Sequence, residues 1–284
     1  MTPRITNLHG LPEALVEAVR NDPYMGGGDI SVTKLIDAPQ KRVLLQSHHD
    51  AIEEDVSERI WSLLGQAVHH ILERAGTDLL VEQRLFAEVA GWKLSGQFDR
   101  LHLGTHTLSD YKVTTTYKHS GNDGWTRQLN VLRWLCYQNG YDVEALEIVA
   151  IFRDWRKTEA ERNRDYPQRP VAVIPVPMWT LAETESYIKE RIALHQRATA
   201  GEKMDCTEDE RWYSGDKWAI TKPGAKRALR VVEDKPTEVP EGYVLSHRIG
   251  EYRRCRSYCE VAPFCSQWQE TLAQMEAASA DTQE

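Results

Sequence analysis

The chain has 284 residues, 41% of them hydrophobic, and a formal net charge of −8 at pH 7. That length buries a sizeable core, as one large domain or as a domain with an appendage. No stretch of about 18 apolar residues occurs, so no membrane span is expected. The opening MTPRITNLHG lacks the basic-then-apolar pattern of a secretory signal, so a cytoplasmic protein is expected.

Net acidity argues at first against a polyanionic partner, but the charges are unevenly spread. The segment AIEEDVSE (51–58) is strongly acidic, and after Cys265 there are four acidic residues and no basic one. By contrast TKPGAKRALR (221–230) carries Lys222, Lys226, Arg227 and Arg230 and no negative charge. Such a strip suits a nucleic-acid contact, and a solvated surface loop accounts for it equally well.

Near the N-terminus, LPEALVEAVRN reads as a short helix, Gly26-Gly27-Gly28 as a break, and ISVTKLIDAP as a strand or helix entry ended by Pro39. SERIWSLLGQAVHHILERAG places apolar residues at 60, 63, 64, 67, 68, 71 and 72. That periodicity predicts a helix, with Ser57 as N-cap and Gly76 as its stop. Three strand-like segments follow, LLVEQRLFAEV, GWKLSGQFDRLHL and THTLSDYKVT, the last two joined by a turn around Gly104. WTRQLNVLRWLCYQNG is a second helix ending at Gly140, and the apolar run ALEIVAIFRDW is a buried strand. The order is helix, three strands, helix, strand. Beyond it, RKTEAERNRDYPQRP reads as an exposed, mobile loop. VAVIPVPMW is a strand confined to an edge by Pro175 and Pro177. TLAETESYIKERIALHQRATAG is a helix capped by Thr180, with Glu183 completing a capping box. Residues 203–268 change character, with few apolar runs and many Trp, Arg and Cys. The division expected is 1–200 for the core, 201–270 for a cysteine-bearing module and 271–284 for a flexible tail.

Within the predicted hairpin, Asp99 and Asp110 lie eleven residues apart, and Lys112 follows Asp110 at i+2 on the same strand face. A register that sets Asp99 beside Asp110 gathers two carboxylates and an ammonium. Such a group binds a hard divalent cation and stabilises charge on a phosphate. The bland alternative is a same-face ion pair on a solvated strand. Of the five cysteines, Cys136 falls inside the second helix and packs as a small apolar side chain. Cys206, Cys255, Cys259 and Cys265 number what a [4Fe–4S] cluster or a tetrahedral zinc site requires, without the C-x-x-C spacing that zinc sites favour.

Taken in order, Gly65-x-x-x-His69, Gly96, Asp99, Asp110-Tyr111-Lys112 and the Gln128 helix resemble the PD-(D/E)XK nuclease superfamily, and within it the RecB-type branch. The resemblance implies an α/β fold with an αβββαβ core, its central mixed sheet flanked by helices, and a small cysteine-bearing C-terminal module. It implies a Mg²⁺- or Mn²⁺-dependent deoxyribonuclease acting as an exonuclease on single-stranded DNA or DNA ends in recombination, repair or phage DNA processing. The metal ligands it implies are Asp99, Asp110, the Tyr111 carbonyl and His69. Lys112 would orient water or stabilise charge, and Gln128 would contact the water or scissile phosphate. Glu82 matches an acidic position of the branch, although a solvated strand residue reads the same way. The four spare cysteines resemble the iron–sulfur module of such nucleases, although Cys206 follows the core where some relatives place the first cysteine before it. Two departures stand out: Leu132 occupies the place of a usual tyrosine, and Phe98 replaces the proline of the family name. A catalytically weak DNA-end-binding subunit and a structure-specific endonuclease are the competing readings. Protein partners are unspecified, and self-association into a homo-oligomer stays open.

Overall fold

The computed structural model describes residues 4–21, 27–75 and 79–281. They divide into two units, Met1–Arg42 with His49–Glu202 and Val43–His48 with Lys203–Glu284. Gly26 and Gly76, expected as a break and a helix stop, lie outside the described residues. Among the described residues, no helix is long and apolar enough to cross a membrane.

The first unit opens with β1 (Arg4–Thr6), α1 (Glu13–Arg20), β2 (Ile30–Ser31) and α2 (Val32–Leu35). Next come α3 (Pro39–Ser47), which continues into the segment Val43–His48, then β3 (Glu53–Asp55) and α4 (Val56–Leu72). Helix α4 starts earlier than the pattern implies. Its cap is Asp55, whose carboxylate accepts from Ser57 N–H at 3.0 Å and from Leu8 N–H at 2.7 Å. A carboxylate satisfies the free N–H groups of a first turn better than the Ser57 hydroxyl expected there.

Three strands, β4 (Leu79–Val89), β5 (Trp92–His102) and β6 (Thr107–Thr114), then α5 (Asp123–Gln138) and β7 (Ala145–Phe152) complete the helix–three strands–helix–strand core. The exposed loop beyond contains a short helix, α6 (Lys157–Arg162), before β8 (Val171–Pro175) and α7 (Leu181–Thr199). The capping box of Thr180 and Glu183 opens α7. The fold is α/β, a central mixed sheet flanked by helices: β6 and β7 are parallel, whereas β4–β5, β5–β6 and β7–β8 are antiparallel. Strand β8, ending at Pro175, is hydrogen-bonded to β7 alone and forms an edge.

The pairing of β5 decides where chemistry can occur. Strand β4 covers one side of it along its whole length. The opposite side is shared: β2 takes Leu94 and Ser95, and β6 takes Arg100, Leu101 and His102. Residues 96–99 have no strand partner on that side. Helices close the gap from above Gly96, where an added Cβ would lie 2.7 Å from Leu132 and Leu135 and 2.8 Å from Val32. Only glycine permits that approach of α5 and α2. Leu132 is therefore a core residue, 2% exposed, as is Phe98 at 1%.

A buried polar knot fixes α2, α3 and α7. His195 is fully buried; its Nε2–H donates to the Leu35 carbonyl at 3.1 Å, and its Nδ1 accepts from Arg42 Nε at 3.2 Å. Arg42 also donates to the His195 carbonyl and the Thr199 hydroxyl. This pattern defines a neutral imidazole, because a proton on Nδ1 would face the guanidinium.

The second unit carries a three-stranded antiparallel sheet in the order β10 (Arg230–Val232), β9 (Lys217–Thr221), β11 (Val244–Arg248). Its helices are α8 (Glu208–Arg211), α9 (Arg253–Ser257) and α10 (Ser266–Asp281). Helix α10 runs through much of the segment expected to be a flexible tail. A small core of Ala262, Cys265 and Trp268 packs against Leu44, Tyr252, Cys255, Cys259 and Leu272.

Burial, with the two nearby arginines, holds the His195 imidazole down at about 4. An unfolded histidine titrates near about 6.5, so the native state binds fewer protons between these values and stability falls as pH drops through that window. Urea unfolding should show a loss on the order of 3 kcal/mol between pH 7 and pH 4. His195→Gln should flatten that part of the profile; an unchanged profile would refute the assignment.

Candidate active site

Three acidic residues reach one level of the sheet from three adjacent strands. Val81↔Arg100 and Gln83↔Phe98 flank Glu82 and Asp99, and the β5–β6 ladder ends at Arg100↔Ser109, one step before Asp99 and Asp110. Neither pair is in register within a ladder. Glu82 adopts φ +49°, a left-handed conformation costly for a residue with a side chain. Between β5 and β6 the strands part, and Tyr111 N–H donates to Asp99 Oδ2 at 2.7 Å. A side chain fills the place of a ladder bond.

The neighbouring helices add one group each. From α4, His69 sets Nδ1 3.4 Å from Glu82 Oε1 and 3.5 Å from Asp99 Oδ1, with Nε2 3.1 Å from the Tyr111 carbonyl. From α5, Gln128 donates to Asp110 Oδ1 at 3.0 Å. Gln128 lies in the second turn of that helix, which starts at Asp123 under an Asn122 cap. On β6, Lys112 Nζ lies 2.7 Å from Asp110 Oδ2 and 3.0 Å from Oδ1. Among the described residues nothing forms a hydrogen bond of good geometry with Asp110 Oδ2, which is buried beside that ammonium.

The electrostatics are those of a site short of positive charge. Burial, then the charge of Asp110, pushes the Asp99 carboxyl up to about 7. The hydrogen bond to Glu82 raises His69 against the opposing effect of burial, helped by the charges of Asp99, Glu82 and Asp110. Burial pushes Glu82 up, but hydrogen bonds from His69 and Gln97 outweigh it and leave the carboxyl below its ordinary value. A divalent cation among these groups would reverse the penalty on Asp99.

His69, Glu82 and Asp99 offer ligand atoms within 4.8 Å of one another. Glu82 is thus the residue that motif spacing under-weighted. It is held from behind by Gln97 Nε2 at 2.6 Å, whose own oxygen accepts from Arg84 at 2.9 Å. Its position follows from strand pairing, which no local motif encodes. Asp99, Asp110, Tyr111, Lys112, His69 and Gln128 all come together here. Leu132, buried under Gly96, does not reach the site.

The remaining predicted residues lie in the second unit. Lys222, Lys226, Arg227 and Arg230 are all exposed, along the connection from β9 into β10. Cys206 is held to α10 by two hydrogen bonds of 2.9 Å with Gln267. Burial, the Glu210 carboxylate and the sulfurs of Cys265, Cys255 and Cys259 push its thiol up to about 12. Burial alone raises Cys136 to about 12, in keeping with a packing role.

No protein-family model and no curated protein matches the chain. Among solved structures, SSO0001 aligns over 64% of this chain and 85% of its own, with 18% identity and a TM-score of 0.46. A phage-related exonuclease from Haemophilus somnus 129PT aligns over 63% of this chain and 95% of its own, with 15% identity and a TM-score of 0.38. Likenesses this distant carry no functional argument, so the chemistry rests on the site.

Because the Glu82 carboxylate is the main group holding a proton on His69, Glu82→Gln should lower the imidazole pKa. A proton-NMR titration of the His69 ring reads this directly, and an unchanged pKa would show that the two groups do not interact.

Proposed function

We propose that this chain is a metal-dependent deoxyribonuclease of the PD-(D/E)XK superfamily, RecB-type branch, hydrolysing phosphodiester bonds from DNA ends. The observation that carries the reading is the convergence of Glu82, Asp99 and Asp110 from three adjacent strands with His69, the Tyr111 carbonyl and Lys112. Oxygen donors with one imidazole suit Mg²⁺ or Mn²⁺. His69, Glu82, Asp99, Asp110 and the Tyr111 carbonyl are the groups that would hold the ion. When bound, it supplies an activated water and neutralises charge on the phosphate.

The chain's own groups do the rest. Gln128 fixes Asp110 through its amide, and Asp99 fixes the Tyr111 backbone and so the direction of its carbonyl. Lys112, a quarter exposed and anchored on Asp110, has its ammonium placed to orient the attacking water or to meet charge developing on a phosphate oxygen. The exposed basic connection of the second unit suits contact with the DNA backbone.

A [4Fe–4S] cluster held by Cys206, Cys255, Cys259 and Cys265 is part of the proposal. The sulfurs of Cys265, Cys255 and Cys259 all act on the Cys206 thiol, and those three cysteines share one small core. The spacing of the four lacks the C-x-x-C pair that zinc sites favour, which supports iron–sulfur over zinc.

With Mg²⁺ or Mn²⁺ the protein should degrade end-labelled linear DNA and spare closed circles. Asp110→Ala and Lys112→Ala should each lower the rate by at least about a hundredfold. Full activity in either variant would remove the assigned site. Anaerobically purified protein should be brown, with iron and sulfide in equal amounts, and Cys259→Ala should bleach it; colourless protein holding stoichiometric zinc would overturn the cluster.

A further inference from the structure

Strands β6 and β7 run parallel and end side by side at Thr114 and Phe152. The chain beyond each is tied to the other. Arg153 N–H donates to the Thr114 carbonyl at 2.9 Å, and Asp154 accepts from the Thr116 N–H at 2.7 Å and its hydroxyl at 3.3 Å. Ligands of open α/β sheets gather outside the carboxyl ends of parallel strands. Two large aromatic side chains stand there in solvent. Trp61 of α4 is 57% exposed, with the Arg153 guanidinium 4.0 Å from its ring centre, and Tyr117, on the loop after β6, is 85% exposed.

The same helix ties this place to the carboxylates. His69 meets the carbonyl of Tyr111, whereas Trp61 meets Arg153 beside Thr114. Helix α4 therefore runs antiparallel to β6, and the eight residues from His69 back to Trp61 span about 12 Å. That separation is a few nucleotides along a strand.

Resting on the nuclease reading, the geometry points to a subsite in which Trp61 and Arg153 hold an unpaired base of a single DNA strand whose scissile phosphate lies at the carboxylate cluster. With the guanidinium against one face, the indole offers the other to any base, and Arg153 keeps donors for an adjacent phosphate. Bases of a duplex are already stacked, so the subsite selects unpaired strands. On a chain of net charge −8, long-range attraction is weak, and stacking carries a larger share of the affinity.

The test is binding without metal, on the full chain in EDTA, read by anisotropy of labelled oligothymidylate and of a blunt hairpin duplex. Trp61→Ala should weaken oligothymidylate binding about tenfold, and Trp61→Phe should keep most of it. Arg153→Ala should weaken it too, with duplex affinity unchanged in all three. Melting temperatures of the variants should match the parent; if Trp61→Ala unfolds, the Phe and Arg153 variants decide. Unchanged single-strand affinity, equal losses on duplex, or a parent that binds no single strand would each overturn the subsite. The nuclease reading fails separately. A parent that binds through Trp61 yet cleaves nothing with Mg²⁺ or Mn²⁺ would refute catalysis and leave the stacking site standing.

Discussion

Strands β5 and β6 pair for three residues and then separate, and the Asp99 carboxylate takes the Tyr111 N–H that the ladder gives up. Backbone donors left unpaired in a buried place are costly, so a parting of strands needs a substitute acceptor. Here the substitute is a charged group. Because β2 and β6 share one side of β5 and leave 96–99 free between them, the fold has room for side chains inside the sheet. The left-handed Glu82 on the facing strand shows the same local sacrifice of regular pairing. Both departures fall at one level, and that level holds the carboxylates.

This arrangement works against stability in the absence of a cation. Burial and Asp110 raise Asp99, and Asp110 Oδ2 has the Lys112 ammonium beside it without a well-formed hydrogen bond, while the bond of His69 to Glu82 offsets only part of this. The buried knot of α2, α3 and α7 is different. His195 and Arg42 satisfy one another and three neighbouring carbonyl and hydroxyl oxygens. The contrast between a satisfied knot and a charge-poor cluster separates scaffold from site.

Much of the fold was legible from periodicity. The αβββαβ order, the capping box of α7, and the edge strand ended by prolines follow from local pattern and from the restrictions proline and capping side chains impose. Less legible was α4. Its apolar positions share one face, yet Leu64 and Ile71 are exposed, because periodicity records which residues share a face and not whether anything covers it. The start of α4 also differs from the local pattern, since its cap is Asp55, whose carboxylate is held as well by Leu8 N–H, nearly fifty residues away.

The sequence alone determined which candidate groups the chain offers: Asp99, Asp110 and Lys112 at hairpin spacing, His69 four residues after a helix glycine, and four cysteines beyond the second helix. Alternation along a strand is a local property, so the pairing of Asp110 with Lys112 could be read directly. Tertiary structure decided that Glu82 joins them, that Leu132 faces Gly96 and the core, and that Trp61 stands in solvent beside Arg153. Each of these depends on strand register or on helix placement over the sheet. Both are fixed by packing between residues far apart in the chain, which spacing within a motif does not encode.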